Sequence, residues 1–88
     1  MKSENHLIIT GSVISDVNPS SRHSFIRFRI VHSFGGGRKP LIQDCFQITK
    51  PEMEPHIPWK GDVVKIRAYL QMHGEKIEAI VKALDIEP

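Results

Sequence analysis

Six consecutive residues, Phe25-Ile26-Arg27-Phe28-Arg29-Ile30, leave this chain little choice of local structure. Read with a period of two, they place Ile26, Phe28 and Ile30 on one face and Phe25, Arg27 and Arg29 on the other. Successive side chains of a strand point to opposite sides of a sheet. The first face can be buried. The second cannot, because desolvating two unpaired guanidinium groups is more costly than any gain from burying the ring beside them. The segment is therefore predicted to be a strand whose outer face is both cationic and aromatic. Rings set between positive charges suit unpaired bases and their phosphates.

The rest of the chain continues the strand pattern. Residues 6–17 are rich in Ile and Val, and Gly11 in their middle predicts a bulge or a sharp bend, as at a barrel corner. Asn18-Pro19-Ser20-Ser21 is turn chemistry. A second strand over residues 24–34 runs into Gly35-Gly36-Gly37 and Arg38-Lys39-Pro40, a flexible basic hairpin tip that lacks the spacing of a phosphate loop. The third strand spans residues 41–49. Its best binary pattern puts Ile42, Phe46 and Ile48 inward and Gln43, Cys45 and Gln47 outward, with Asp44 breaking the pattern. Pro51, Pro55 and Pro58 punctuate a connector in which Pro51-Glu52-Met53-Glu54 has room for one helical turn. Trp59, between Pro58 and Lys60, is expected to plug the barrel bottom. After the turn Lys60-Gly61-Asp62, residues 63–72 turn Val64, Ile66, Ala68 and Leu70 to one face and Lys65, Arg67, Tyr69 and Gln71 to the other. His73-Gly74-Glu75 makes a tight hairpin into a last strand over residues 76–83, extendable to 86. Five strands with almost no helix favour closure, which removes exposed sheet edges. The expected fold is all-β, a five-stranded OB-fold barrel with at most a one-turn helix between strands 3 and 4. An SH3-like barrel is the nearest competitor, and the connector favours the OB-fold.

Eighty-eight residues make one domain, 1–88, with residues 1–5 expected to be disordered. A single cysteine allows no internal disulfide, and the first residues read neither as a secretory signal nor as a membrane span, so a cytoplasmic location is expected. The net charge of +2 announces nothing by itself, but its distribution is uneven. Arg22, Arg27, Arg29, Arg38, Lys39 and Lys50 lie between Asn18 and Lys50 against the single acid Asp44. That basic half is a reasonable footprint for a polyanion, or simply a solvated surface.

At this point the sequence resembles the bacterial single-stranded-DNA-binding family, and within it the short primosomal replication protein N (PriB-like) group. The residues that carry the likeness are Asn5-His6-Leu7-Ile8-Ile9-Thr10-Gly11-Ser12-Val13, the Phe/Arg strand with its glycine-rich tip, residues 60–70 (KGDVVKIRAYL) and Lys76-Ile77-Glu78-Ala79-Ile80. The resemblance implies a homodimer or higher oligomer paired through the first strand. It also implies single-stranded DNA lying across the sheet and between the hairpins. Two departures accompany it. The sequence ends at Pro88 without an acidic tail, so a general genome-coating role is not expected. The third strand carries no tryptophan at its outward positions, so stacking is expected to be weaker.

The predicted nucleic-acid-binding residues are Phe25, Arg27, Arg29, Phe34, Arg38, Lys39, Lys65, Arg67, Tyr69 and Lys76. Phosphates would meet Arg27, Arg29, Arg38 and Lys39, and bases would stack on Phe25, Phe34 or Tyr69. Against this stand plainer alternatives. Phe25 could cover a barrel end, Phe34 could pack locally at its strand end, and Arg27 and Arg29 could pair with acids such as Glu78. Lys65, Arg67 and Tyr69 could share the binding surface or face a partner subunit. Five scattered histidines and Cys45 show no metal-ligand spacing, and no nucleophile sits beside a base, so no cofactor, no metal and no enzyme activity are expected. The function read from sequence is non-sequence-specific single-stranded DNA binding in replication, repair or primosome assembly, with replication proteins as further partners and no membrane. The alternatives are an RNA-binding OB module resembling translation initiation factor one, and a protein–protein adaptor.

Overall fold

A computed structural model describes residues 5–17, 25–49 and 57–88. Five strands follow in chain order: β1 (Leu7–Val13), β2 (Phe25–His32), β3 (Leu41–Ile48), β4 (Val63–His73) and β5 (Lys76–Ile86). They close into a barrel in the order β1-β2-β3-β5-β4. All neighbouring pairs are antiparallel except β3 with β5, which run parallel. The fold is the all-β, five-stranded OB-fold expected from sequence. The anticipated helical turn at Pro51-Glu52-Met53-Glu54 falls outside the described residues, as do the turn at Asn18-Pro19-Ser20-Ser21 and residues 1–4. Asn5 is described, and its Oδ1 accepts the Leu70 backbone N–H at 2.6 Å, extending the β1–β4 contact by two residues.

Gly11 is what lets β1 serve two neighbours. Along Leu7 to Ser12 the strand pairs with β4, and at Ser12 and Val13 it is handed over to β2. At that crossing a Cβ on Gly11 would sit 2.7 Å from the Val31 carbonyl oxygen, closer than a methyl group is tolerated. The corner predicted at Gly11 is therefore a close backbone approach that only glycine permits. Beyond Val13 the ladder continues singly: Ile14 donates its N–H to the Arg29 carbonyl, and the Ser15 hydroxyl accepts the Arg29 N–H. A side chain thus takes over from the backbone, and β1 ends earlier than the pattern of its apolar residues suggests.

The barrel interior holds Ile9, Val13, Ile26, Phe28, Ile30, Cys45, Val64, Ile66, Ala68, Ala79 and Val81, with Val17 and Ile57 closing on it. The inward faces of β2 and β4 are those read from sequence. That of β3 is the reverse. Across the β2–β3 ladder Gln47 lies opposite Ile26, Cys45 opposite Phe28 and Gln43 opposite Ile30. Because residues directly opposite each other share a face, Gln43, Cys45 and Gln47 point inward. Ile42, Phe46 and Ile48 are outward, with Ile42 57% and Ile48 59% exposed. The inward amide of Gln43 is satisfied by the carbonyls of Asp44 and Ile77, at 2.8 and 3.1 Å.

The plug at the barrel end also differs from expectation. Ile57 and Pro58 are buried there, whereas Trp59 is 62% exposed. The cause is the turn that follows. Asp62 Oδ2 accepts the Trp59 N–H at 2.8 Å, and the Trp59 carbonyl accepts the Asp62 N–H at 3.0 Å. Gly61 and Asp62 in turn bond to the Val13 backbone. The backbone is pinned with Pro58 facing in and the indole facing out.

Candidate functional site

The ladder registers stitch the outer faces of four strands into one surface. Arg27 on β2 lies opposite Phe46 on β3, Phe46 lies beside Ile80 on β5, and Ile80 lies opposite Tyr69 on β4. One step along, Arg29, Asp44, Glu78 and Gln71 form a second row. At adjacent-strand spacings of about 4.8 Å, Arg27 and Tyr69 are roughly 14 Å apart across the sheet. The Phe25–Ile48 pair continues the face beyond the first row. Both long hairpins, residues 33–40 between β2 and β3 and Gly74-Glu75 between β4 and β5, leave the sheet from the end beyond the second row.

The centre of this face is aromatic. Phe25 and Phe46 stack with centroids 5.2 Å apart and planes inclined by 28°. The Arg27 guanidinium carbon lies 5.2 Å from each ring centroid, within cation–π range of both. Ile80 is nearly inaccessible although it points outward between Phe46 and Tyr69. On the far side Lys82 Nζ stands 5.0 Å over the Tyr69 ring. Lys82 occupies the extra position of a β-bulge, since Ala68 faces Val81 while Arg67 faces Ala83.

Carboxylates are built into the same surface. Arg27 Nε donates to Glu78 Oε2 at 3.3 Å, and Arg29 Nε donates to Asp44 Oδ1 at 2.8 Å. The ion pair weighed for Arg27 from sequence is therefore what forms, and Arg29 has a partner too. Each guanidinium keeps its terminal N–H groups beyond the bond through Nε, and both side chains remain about half exposed.

The ten residues singled out from sequence separate into three groups. Phe25, Arg27, Arg29 and Tyr69 lie on the central face. Phe34, Arg38, Lys39 and Lys76 belong to its hairpin end, all exposed. Phe34 meets the His32 ring edge-on at 4.8 Å, and His32 donates from Nδ1 to the Thr10 carbonyl, so Phe34 packs locally at the end of its strand. Arg38 closes a turn by donating its N–H to the Gly35 carbonyl. Lys65 and Arg67 lie at the opposite end of β4, facing Thr10 and Ile8 of β1 and Asp85 and Ala83 of β5. There they line a shallow depression of about 300 Å³ with Ile8, Ile66, Ala83 and Asp85.

Phe46, Ile48 and Ile80 join the face without having been singled out as site residues. For Phe46 the signal was Asp44. An acid two residues away shares its face, and that face must be open to solvent unless the acid is paired. Inside the barrel, burial first and then the negative charges of Asp44 and Glu78 push the Cys45 thiol up to about 12. It stays protonated and is no nucleophile. Among the described residues no group of three His, Cys, Asp or Glu side chains could hold a metal ion, and no helix is long and apolar enough to cross a membrane.

No protein-family model matches the sequence, and no curated protein is significantly similar to it. Solved structures are similar in fold. The mitochondrial single-stranded DNA-binding protein of S. cerevisiae superposes with a TM-score of 0.77 at 13% identity, over 97% of this chain and 95% of that one. The second single-stranded DNA-binding protein of Mycobacterium smegmatis gives 0.74 at 17% identity, over 97% and 90%. The dimeric N-terminal domain of PriB from Thermoanaerobacter tencongensis gives 0.71 at 14%, over 96% and 97%. This chain has their fold. At such identities the likeness speaks for architecture, and chemistry must come from the residues on the face.

Proposed function

We propose that the outer face of β2, β3, β5 and β4 binds single-stranded DNA with little sequence preference, as a non-enzymatic component of replication, repair or primosome assembly. The observation that carries this reading is the Phe25–Phe46 stack with Arg27 over both rings. Such a pair presents a π-surface that any base can meet. Bases stack on Phe25, Phe46 and Tyr69, and Phe34 meets a further base only by leaving its contact with His32. Phosphates meet the terminal N–H groups of Arg27 and Arg29, and Arg38, Lys39 and Lys76 at the hairpin end. Lys65 and Arg67 extend the positive track toward β1. The fold shared with single-stranded DNA-binding proteins and with a dimeric PriB domain supports the same reading, and with it a homodimer or higher homo-oligomer.

Titration of fluorescein-labelled oligo-dT at two salt concentrations tests it. Binding is expected to weaken with salt, with a log–log slope of about −0.7 per phosphate neutralised. Undetectable binding at low salt refutes the reading. Competition with oligo-U separates DNA from the RNA-binding alternative. The adaptor reading draws on exposed Ile42 and Ile48 and on the ion-paired arginines. It wins if charge reversal at Arg27 and Arg29 leaves DNA binding intact and abolishes capture of a replication protein.

A further inference from the structure

The second row of the face carries as much negative charge as the arginines supply. Asp44 and Glu78 are neighbours in register on β3 and β5, and each holds one arginine through its Nε. Glu78 points outward yet is only 8% exposed. A charge so placed is poorly screened by salt. It reaches diagonally past β3 to Arg27, along the flank of the aromatic row. A polyanion laid across this row therefore meets two carboxylates together with two guanidinium groups. A base laid on Phe25, Phe46 or Tyr69 meets rings.

We propose that Asp44 and Glu78 are specificity-determining residues that make this face select polynucleotides with accessible bases over duplexes and other bare polyanions. The inference rests on the proposed function of the face and deepens it. A duplex hides the flat faces of its bases and offers a sheet surface chiefly phosphate, so its non-specific binding comes from neutralised charge. The two acids cancel that attraction where the arginines would otherwise provide it. A single strand stacks its bases over the aromatic row, which holds its phosphates at the outer, terminal N–H groups of the arginines and away from the acids bound at Nε. It therefore loses less to the acids than a ligand with no base to stack. Discrimination of this kind needs an element unfavourable to the wrong ligand, not merely one favourable to the right one.

The test uses Asp44→Asn, Glu78→Gln and the double variant, each checked for an unchanged fold by circular dichroism and melting. Labelled oligo-dT, a blunt duplex of equal length and an abasic deoxyribose-phosphate oligomer are titrated at one fixed salt concentration. The double variant is expected to bind duplex and abasic oligomer about tenfold tighter and oligo-dT within about threefold of wild type, so that the preference for free bases falls. An unchanged preference, or weaker oligo-dT binding, overturns the inference, because the acids would then only position the arginines. Should Glu78→Gln fail to fold, Asp44→Asn on the more open strand carries the comparison, with about a threefold fall in preference expected. Wild-type protein that does not bind oligo-dT at all refutes the reading of the face, and this inference with it.

Discussion

Strands β2 and β3 are partners over eight residues, yet they follow opposite rules. In β2 the apolar residues Ile26, Phe28 and Ile30 are buried and the arginines face out. In β3 the buried residues include Gln47 and Cys45, while Ile42, Phe46 and Ile48 are outside. Hydrophobic alternation finds the core when the outer face is polar. It misreads a strand whose outer face is itself required to be apolar. The inversion in β3 fits the proposed use of this face: a sheet surface that only had to be soluble has no need of a phenylalanine and two isoleucines beside an aspartate.

The sharpest way to break this contrast is to shorten one phenylalanine from each strand. Phe28→Ala empties the barrel interior and is expected to cost about 3–5 kcal/mol, a large part of the stability of a domain this size. Urea denaturation should show it, with Phe46→Ala losing no more than about 1 kcal/mol in the same assay. If Phe46→Ala proves as damaging as Phe28→Ala, the outward placement of Phe46 is wrong. Function should show the reverse ordering. Phe46→Ala is expected to weaken oligo-dT binding by about 1–3 kcal/mol, the range for one stacked base, whereas the conservative core change Ile30→Val should leave it unchanged. Equal losses from both would show that the aromatic stack acts through stability alone.

Smaller effects sharpen the comparison. Arg29 and Asp44 lie directly opposite on the two strands. A double-mutant cycle on their ion pair is expected to return no more than about 1 kcal/mol of coupling, as for other half-exposed pairs. An effect of similar size, confined to alkaline pH, should come from the inward thiol of β3. The folded pKa of Cys45 is raised from 9.0 to about 12. Below pH 9 the thiol is protonated in both states and the preference for folding is complete. Above pH 9 the unfolded chain loses its proton first, so stability falls as pH rises toward 12, by at most about 1.4 kcal/mol per unit. Melting temperatures of wild type and Cys45→Ala, compared at pH 8 and pH 10, should therefore converge at the higher pH. A constant difference would show that the thiol is not desolvated.

Much of the architecture was legible because local signals agreed with one another. The period-two pattern of β2 and β4, the turn at Lys60-Gly61-Asp62 and the hairpin at Gly74 all point to one small barrel. The face was half legible. Phe25, Arg27 and Arg29 could be placed because arginines do not go inside, but Phe46 could not, since hydrophobicity alone ranks it with the core. Trp59 misled for a related reason: the Asp62 side chain, three residues further on, decides which way the indole turns. Nothing in sequence order says that β5 lies between β3 and β4. Only the parallel β3–β5 pairing unites Tyr69 with Phe46, and the partners of Arg27 and Arg29 follow from the same pairing and from β2–β3 register.

The two hairpins leave the sheet from the same side, and this gives the molecule a head and a tail. One border of the stacking surface is flanked by glycine-rich and lysine-bearing loops, the other by β1 and its exposed Ile8. A chain whose 5′ and 3′ directions differ chemically meets a different neighbour at each border, so the two ways of laying it down are not energetically equivalent. Under the proposed function, the threading direction of a bound strand would follow from strand connectivity, ahead of any contact that reads a base.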